Sequence, residues 1–267
     1  VLGADRVLTG RAQRAARARV PAPFPVHRWD DYCPDVVVLP RTTEEVAAIV
    51  TLANRARMPI VARAGGSGLA DGAVPLKKGI LVDVKLMNQV LEIDPINRTA
   101  TVQPGINLLK LNELYLHKHG LHYPDNPASY PISMIGGRIG TSGWSLVGSR
   151  YGHVRDLVLS LTVVLPAGEV VTLGEGGGKK LRKASIGYNL KQLFIGSMGT
   201  LGIVTEATID VFPKPELEAA LFYGFPSFEA AYRALGDVTG TGLATVAGAV
   251  LFDEEKLAYL RRDDEAY

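Results

Sequence analysis

Nine residues, Ala64-Gly65-Gly66-Ser67-Gly68-Leu69-Ala70-Asp71-Gly72, carry four glycines and follow directly on the strand-like Pro59-Ile60-Val61-Ala62-Arg63. A run so poor in Cβ atoms builds neither a stable helix nor a core. It lets backbone N–H groups crowd around a diphosphate. Two familiar phosphate motifs are excluded by the flanking residues. A P-loop requires Lys-Ser or Lys-Thr after its last glycine, whereas Ala73-Val74 follows Gly72. The dinucleotide fingerprint G-x-G-x-x-G is one residue shorter than the span from Gly66 to Gly72. That span also runs into Val74-Pro75 instead of opening a helix, so no helix N-terminus awaits a pyrophosphate. The loop would act through its own amides, and taken alone it is equally well a glycine-rich surface turn.

The flanks predict alternating helices and strands. Thr42-Thr43-Glu44-Glu45 is a capping box ahead of Val46, Ile49, Val50 and Ala53 at helical spacing, which predicts a helix over 43–58 ended by Pro59. Strands are expected at 60–63 and 79–84, then a hairpin of 90–93 and 99–103 turning at Asp94-Pro95-Ile96-Asn97. A helix over 107–119 closes at Gly120, and strands follow at 157–165 and 169–173. In the strand 203–212, Thr205, Ala207, Ile209 and Val211 share one face, with Glu206, Thr208 and Asp210 on the other. Pro213 and Pro215 mark a boundary. Beyond it a strand at 217–225, a helix capped by Ser227 with Phe228, Ala231 and Ala234 inward, and a strand at 247–251 read as the opening of a second α+β domain, or else as a small terminal appendage. The chain starts at Val1 without Met and stops at Asp263-Asp264-Glu265-Ala266-Tyr267, so both ends read as cut.

Composition narrows the partners. With 267 residues, 47% hydrophobic and 21% charged, the chain suits one or two globular cores. A net charge of +2, with no basic stripe interleaved with aromatics, argues against nucleic acid. Arg11, Arg14, Arg17 and Arg19 sit among alanines and read as a solvated helix face, against a targeting remnant or an anionic partner site. The single Cys33 excludes an internal disulfide and a Cys-based metal site and fits a reducing compartment. No apolar run reaches transmembrane length. A cytoplasmic or peripherally membrane-associated protein is expected.

Two further stretches repeat the glycine theme. Asp125-Asn126-Pro127-Ala128-Ser129 precedes Gly136-Gly137-Arg138-Ile139-Gly140-Thr141-Ser142-Gly143, a stretch that reads as too poor in side chains for a core. Gly196-Ser197-Met198-Gly199-Thr200-Leu201-Gly202 comes just before a strand. Each alone is a turn; together with the first loop they favour a large, elongated ligand. Thr42 to Val46 leading into Arg63 to Leu69, then Ile135-Gly136-Gly137, Arg150-Tyr151-Gly152, Gly187-Tyr188-Asn189-Leu190 and Gly199 to Gly202, resemble the FAD-linked oxidases of the vanillyl-alcohol-oxidase (PCMH) fold. Within that family they are most similar to the D-lactate dehydrogenase and glycolate oxidase flavin-subunit branch. The resemblance runs in the family's order from about Pro34 to Pro215.

The resemblance implies an α+β fold: a PCMH-type FAD-binding domain over 34–214, made of two α+β subdomains meeting near Pro104. An N-terminal segment 1–33 precedes it, and the beginning of a substrate (cap) domain at 215–267 follows. It implies that Ala62, Arg63, Ala64, Gly65, Gly66, Ser67, Gly68 and Leu69 hold the pyrophosphate, chiefly through amides. Asp125, Ser129, Ser133, Gly136, Gly137, Ile139, Gly140, Thr141 and Gly143 would line the middle and flavin end of FAD. Met198, Gly199, Thr200, Gly202, Ile203 and Val204 would lie along the adenosine part, with the main chain of the last two reading adenine. Small residues suit such roles because amides can then approach to hydrogen-bonding distance.

Three departures from the family pattern stand out. Ala64 replaces a glycine and must avoid positive φ. Asp71 replaces another and brings an acid near a diphosphate. Met198 stands where the family usually has Glu. The loop holds no His for covalent flavin attachment, so non-covalent FAD is expected. His117, His119 and His122 lie at a helix end that favours such residues anyway, and no metal site is assigned to them. His153 reads as structural. The implied activity is dehydrogenation of a small 2-hydroxy acid, with hydride passing to flavin N5 and an electron acceptor completing the cycle. The base, the carboxylate clamp and any metal site come largely from the family's second domain, so no catalytic residue is named. The alternatives are an alkylglycerone-phosphate-synthase-like flavoenzyme and a non-catalytic FAD-binding subunit of a hetero-oligomer. A homo-oligomer also fits.

Overall fold

The computed structural model describes residues 2–21, 30–174, 181–182, 185, 187–240 and 246–264. The expected stop at 263–267 lies in part outside them, as do parts of the N-terminal segment and of the expected second domain. The first layer contains β1 (Val7–Leu8), α1 (Arg11–Ala15), β2 (Val36–Val38), α2 (Thr43–Ala56), β3 (Ile60–Arg63) and β4 (Ile80–Asp83). Its sheet runs β1-β2-β4-β3, with β2, β4 and β3 parallel and β1 antiparallel on the edge. β4 is buried throughout, as suits a central parallel strand. Thr42 caps α2, its Oγ1 accepting from the Glu45 amide at 3.3 Å. Glu45 reaches past Thr42 to accept from the Arg41 amide at 2.7 Å and also takes the Arg6 guanidinium at 2.6 Å. That partner holds the Glu45 carboxyl below its ordinary range. The helix stops two residues earlier than expected because Arg57 adopts left-handed φ of 53°.

The second layer begins with the hairpin β5 (Val90–Asp94) and β6 (Thr99–Val102), followed by α3. α3 opens as α-helix at Leu108–Lys110, widens to π-helix over Leu111–Leu116 and tightens to a 3-10 turn at His117–His119. The widening accompanies the buried Asn112, whose side chain accepts from the Tyr123 amide at 2.7 Å and donates to the Tyr123 carbonyl and the Tyr130 hydroxyl. Gly120 ends the segment at φ 67°, as expected. β7 (Leu121–His122), α4 (Ile135–Thr141), α5 (Gly148–Tyr151), α6 (Val154–Leu157), β8 (Val158–Val164), β9 (Val170–Gly174), α7 (Lys191–Phe194), β10 (Ile203–Asp210) and β11 (Phe212–Pro213) complete the layer. Its antiparallel sheet has the order β5-β6-β10-β8-β9.

Several expectations need correction. β5 and β6 pair into the second sheet, so the seam between the subdomains falls before Val90 and not near Pro104. The stretch 136–143 does contribute to a core: its Ile139 is buried on α4, as is Ile135 just before it. The arginines are a solvated face only in part: Arg11, paired with Asp30, and Arg19 are exposed, whereas Arg14 donates to the Pro34 carbonyl at 2.6 Å and Arg17 pairs with the buried Asp83 at 3.0 Å. The expected strands at 217–225 and 247–251 do not form, because no described strand lies beside either of them. α8 (Phe228–Gly240) is capped as expected, the Ala230 amide donating to Ser227 Oγ at 3.2 Å, but Phe228 is exposed and no α8 residue is buried. α9 (Glu254–Asp264) was not foreseen, although Asp253 caps it through the Lys256 amide at 2.8 Å.

Candidate functional site

The loop 64–72 leaves the carboxyl end of β3, where parallel sheets place ligands. It faces α4 and the segment 196–204 across a cleft with about 1030 Å³ of space, its open mouth included. Ala64 keeps out of the left-handed region, while Gly66 takes φ 61°. The glycines divide by their surroundings. A Cβ on Gly65 would meet the Ile132 carbonyl at 2.6 Å, one on Gly136 would meet Pro104 at 2.6 Å, and one on Gly202 would meet the Val164 carbonyl at 2.8 Å. These glycines let backbone pack on neighbouring chain. At Gly68, Gly137 and Gly140 a Cβ would meet nothing closer than 3.7 Å, so those positions leave the cleft itself open.

Three hydroxyls cross the cleft, with Ser67 Oγ 3.4 Å from Ser133 Oγ and Ser129 Oγ 2.8 Å from Ser133 Oγ. The far wall is tied to α4 by the Met198 amide donating to the Gly140 carbonyl at 2.8 Å and the Gly196 amide donating to Ile139 at 2.9 Å. Met198 itself is left-handed at φ 53°. Arg63 lines the cleft with its Nη1 buried and without a hydrogen-bond partner. Burial lowers its guanidinium from the ordinary value, Asp83 opposing and Arg17 adding to the shift. Backbone amides beside open space, a chain of hydroxyls and a buried cation in search of an anion fit a diphosphate-bearing cofactor.

Eighteen of the twenty-three residues assigned to the cofactor line this cleft. Five do not. Leu69 is 73% exposed, Ile139 is packed in the core, and Thr200 donates its hydroxyl to the Ser197 carbonyl. Asp125 lies in a buried fork with Arg138, at 2.7 Å from Nε and 2.8 Å from Nη2. Gly143 offers its carbonyl to the same guanidinium at 3.0 Å. Reading by sequence missed Ala70, Gly72 and Ala73, which simply continue the first loop, and Val84, Phe194 and Val20, whose apolar side chains carry no local signal. Asp71 is left-handed at φ 54°, with Oδ1 buried and unpartnered and outside the cleft lining. His122 stacks edge-on against Tyr151 at 5.7 Å, away from the cleft lining, and His153 starts α6, its amide donating to Asp156 at 2.9 Å. Among the described residues no three His, Cys, Asp or Glu side chains gather as a metal-ligand set.

The chain is similar to known proteins. A family model described as FAD binding domain matches residues 34–174. Glycolate oxidase subunit GlcD of Bacillus subtilis is 43% identical over 205 residues, covering 77% of this chain and 43% of that protein. The D-lactate dehydrogenase of Archaeoglobus fulgidus is 38% identical over 203 residues, covering 76% of this chain and 44% of that protein. A solved alkyldihydroxyacetonephosphate synthase matches with a TM-score of 0.76 at 30% identity, over 90% of this chain and 48% of that one. The chain thus spans less than half the length of the curated relatives it matches.

Proposed function

This chain belongs to the FAD binding domain family, and on that premise we propose that it is the cofactor-holding part of an FAD-dependent oxidoreductase that dehydrogenates a small 2-hydroxy acid of the glycolate or D-lactate type. The convergence of the glycine-rich segments on one cleft with the unpartnered Arg63 Nη1 carries the reading. Two relatives whose names refer to different 2-hydroxy acids support the substrate class. Bound FAD supplies a two-electron acceptor; the chain's own residues bind, orient and shield it. In this reading the amides of 65–68 and the Arg63 guanidinium hold the diphosphate. The Ser67, Ser133 and Ser129 hydroxyls line the middle of the cleft, and the main chain of Ile203 and Val204 reads adenine. In this reading FAD is held without a covalent bond. Residues 34–214 form the FAD-binding domain and 215–267 begin a substrate domain.

The structural match to alkyldihydroxyacetonephosphate synthase over 90% of this chain favours a second reading, a related flavoenzyme of that type. The subunit wording in the GlcD name favours a place in a hetero-oligomer. No helix among the described residues is long and apolar enough to cross a membrane, which is compatible with a cytoplasmic or peripheral setting. The purified chain should be yellow and release its flavin into acid. A colourless preparation that gains no flavin spectrum on adding FAD refutes the reading. Reduction of the bound flavin by glycolate or D-lactate, tested in the longest expressed form, separates the two enzyme readings.

A further inference from the structure

Arg63 and Asp83 are register partners at the carboxyl ends of the adjacent parallel strands β3 and β4. Residues so placed point to the same side of a sheet, and an Arg beside an Asp there would ordinarily pair with it. Here no described acid forms an ion pair with Arg63. The Asp83 carboxylate is already engaged: Oδ2 accepts from Arg17 Nε at 3.0 Å and Oδ1 from the Lys85 amide at 3.1 Å. The Lys85 ammonium lies farther off, 4.0 Å from Oδ2 and on a partly exposed side chain, and Asp83 itself is 3% exposed, so the choice between the two arginines is made away from bulk water. The competitor comes from outside the stretch that the family model matches, since residues 1–33 precede it. Three residues beyond Arg17, Val20 forms part of the cleft wall. Arg63 is held against Gly66, where an added Cβ would strike its guanidinium, so the unpaired cation sits directly beneath the glycine-rich loop.

We propose that the N-terminal segment is a working part of the cofactor site: Arg17 occupies the Asp83 carboxylate and thereby leaves the Arg63 guanidinium free for the diphosphate of FAD. Arg17 is a positioning residue that does not line the cleft, and the inference rests on the FAD reading above. A buried guanidinium paired with a buried carboxylate has little to offer a second anion, whereas an unpaired one gains a charge-assisted bond when the anion arrives. Removing Arg17 hands Asp83 to Arg63 and switches that gain off.

The test is FAD affinity and release rate, followed by the return of flavin fluorescence on dissociation, in the full chain. Arg17→Met keeps the apolar stem and removes the charge. Affinity should fall about 10-fold or more. In Arg17→Met/Asp83→Asn no acid remains to capture Arg63, and most of the lost affinity should return. Adding Arg17→Met to an Arg63→Met background should cost nothing further. Parental affinity in Arg17→Met overturns the proposal, as does a double variant no better than the single, which would mark Arg17 as a mere clamp. If Arg17→Met does not fold, the double variant, which leaves no stranded acid, decides: affinity near the parental supports the proposal, and affinity as low as that of Arg63→Met overturns it. A parental chain that takes up no FAD refutes the cofactor reading itself, and the proposal with it.

Discussion

Arg138→Met would strand a carboxylate in the interior. The Asp125 side chain has 0% of its surface exposed, and both of its oxygens are taken by the Arg138 guanidinium, which is itself 11% exposed. The same guanidinium also satisfies the carbonyls of Gly143 and Trp144 at 3.0 and 2.8 Å. Removing one partner of such a pair costs about 3–5 kcal/mol, because the other is left charged and unsolvated. At about 2–4 °C per kcal/mol for a domain of this size, the melting midpoint should fall by roughly 6–20 °C. The assay is thermal unfolding followed by circular dichroism at neutral pH. Arg138→Met/Asp125→Ala removes the stranded charge and should recover a large part of the loss, leaving the cost of the two unpaired carbonyls. A fall of less than about 2 °C in the single variant, or no recovery in the double, refutes the assignment of the pair as a structural fork.

Three other outcomes are expected. Gly66→Val forces a β-branched residue into φ 61° and against Arg63, so the chain should lose bound FAD while keeping its far-ultraviolet spectrum; retained flavin counts against the loop assignment. Asp71→Gly relieves a left-handed backbone, an effect of about 1–2 kcal/mol, and removes a buried unpartnered oxygen; its melting midpoint should rise with FAD affinity undiminished, and a lower midpoint would show that Asp71 has a partner in solution. Burial lowers His122 from its ordinary 6.5, partly opposed by Glu218, and lowers His117 likewise. Around and below that value the unfolded chain binds more protons than the folded one, so stability should fall as the pH drops through about 6.5, and His122→Gln should flatten the slope; an unchanged slope rejects His122 as a contributor.

How much was legible in the sequence depended on how local the cause was. The Thr42 cap, the Gly120 terminus and the alternation of the strand over 203–207 are fixed by near neighbours, and each is present, whereas Thr208, expected on the other face, is buried beside a register shift. The four glycines beginning with Gly65 pointed to the cleft because their signal is the absence of a side chain. Which glycines face the cleft and which permit packing was not readable, since that depends on Ile132, Pro104 and Val164, all distant in sequence from the glycines they meet. Asp125 was misplaced for the same reason: nothing near it announces that Arg138 will take both oxygens. The placement of β5 and β6 failed because a hairpin does not encode which sheet it joins. The expected strands at 217–225 and 247–251 failed because an apolar stretch makes a strand only where another strand is available beside it.

Helix α2 has one more consequence. Val46, Ile49, Val50 and Ala53 on its buried face belong to a single cluster with Ile80 and Val82 of the first sheet and with Val164 and Ile203 of the second. Asn54, on the same helix, donates to the Pro166 carbonyl at 3.3 Å, beyond the end of β8. The two layers are therefore welded through a common interior and do not meet as separable jaws. Swinging them apart would expose that interior to water, so a cofactor must slide in through the mouth of the cleft or be enclosed while the chain folds. The two layers should accordingly melt in one transition, with no earlier step in which one sheet parts from the other.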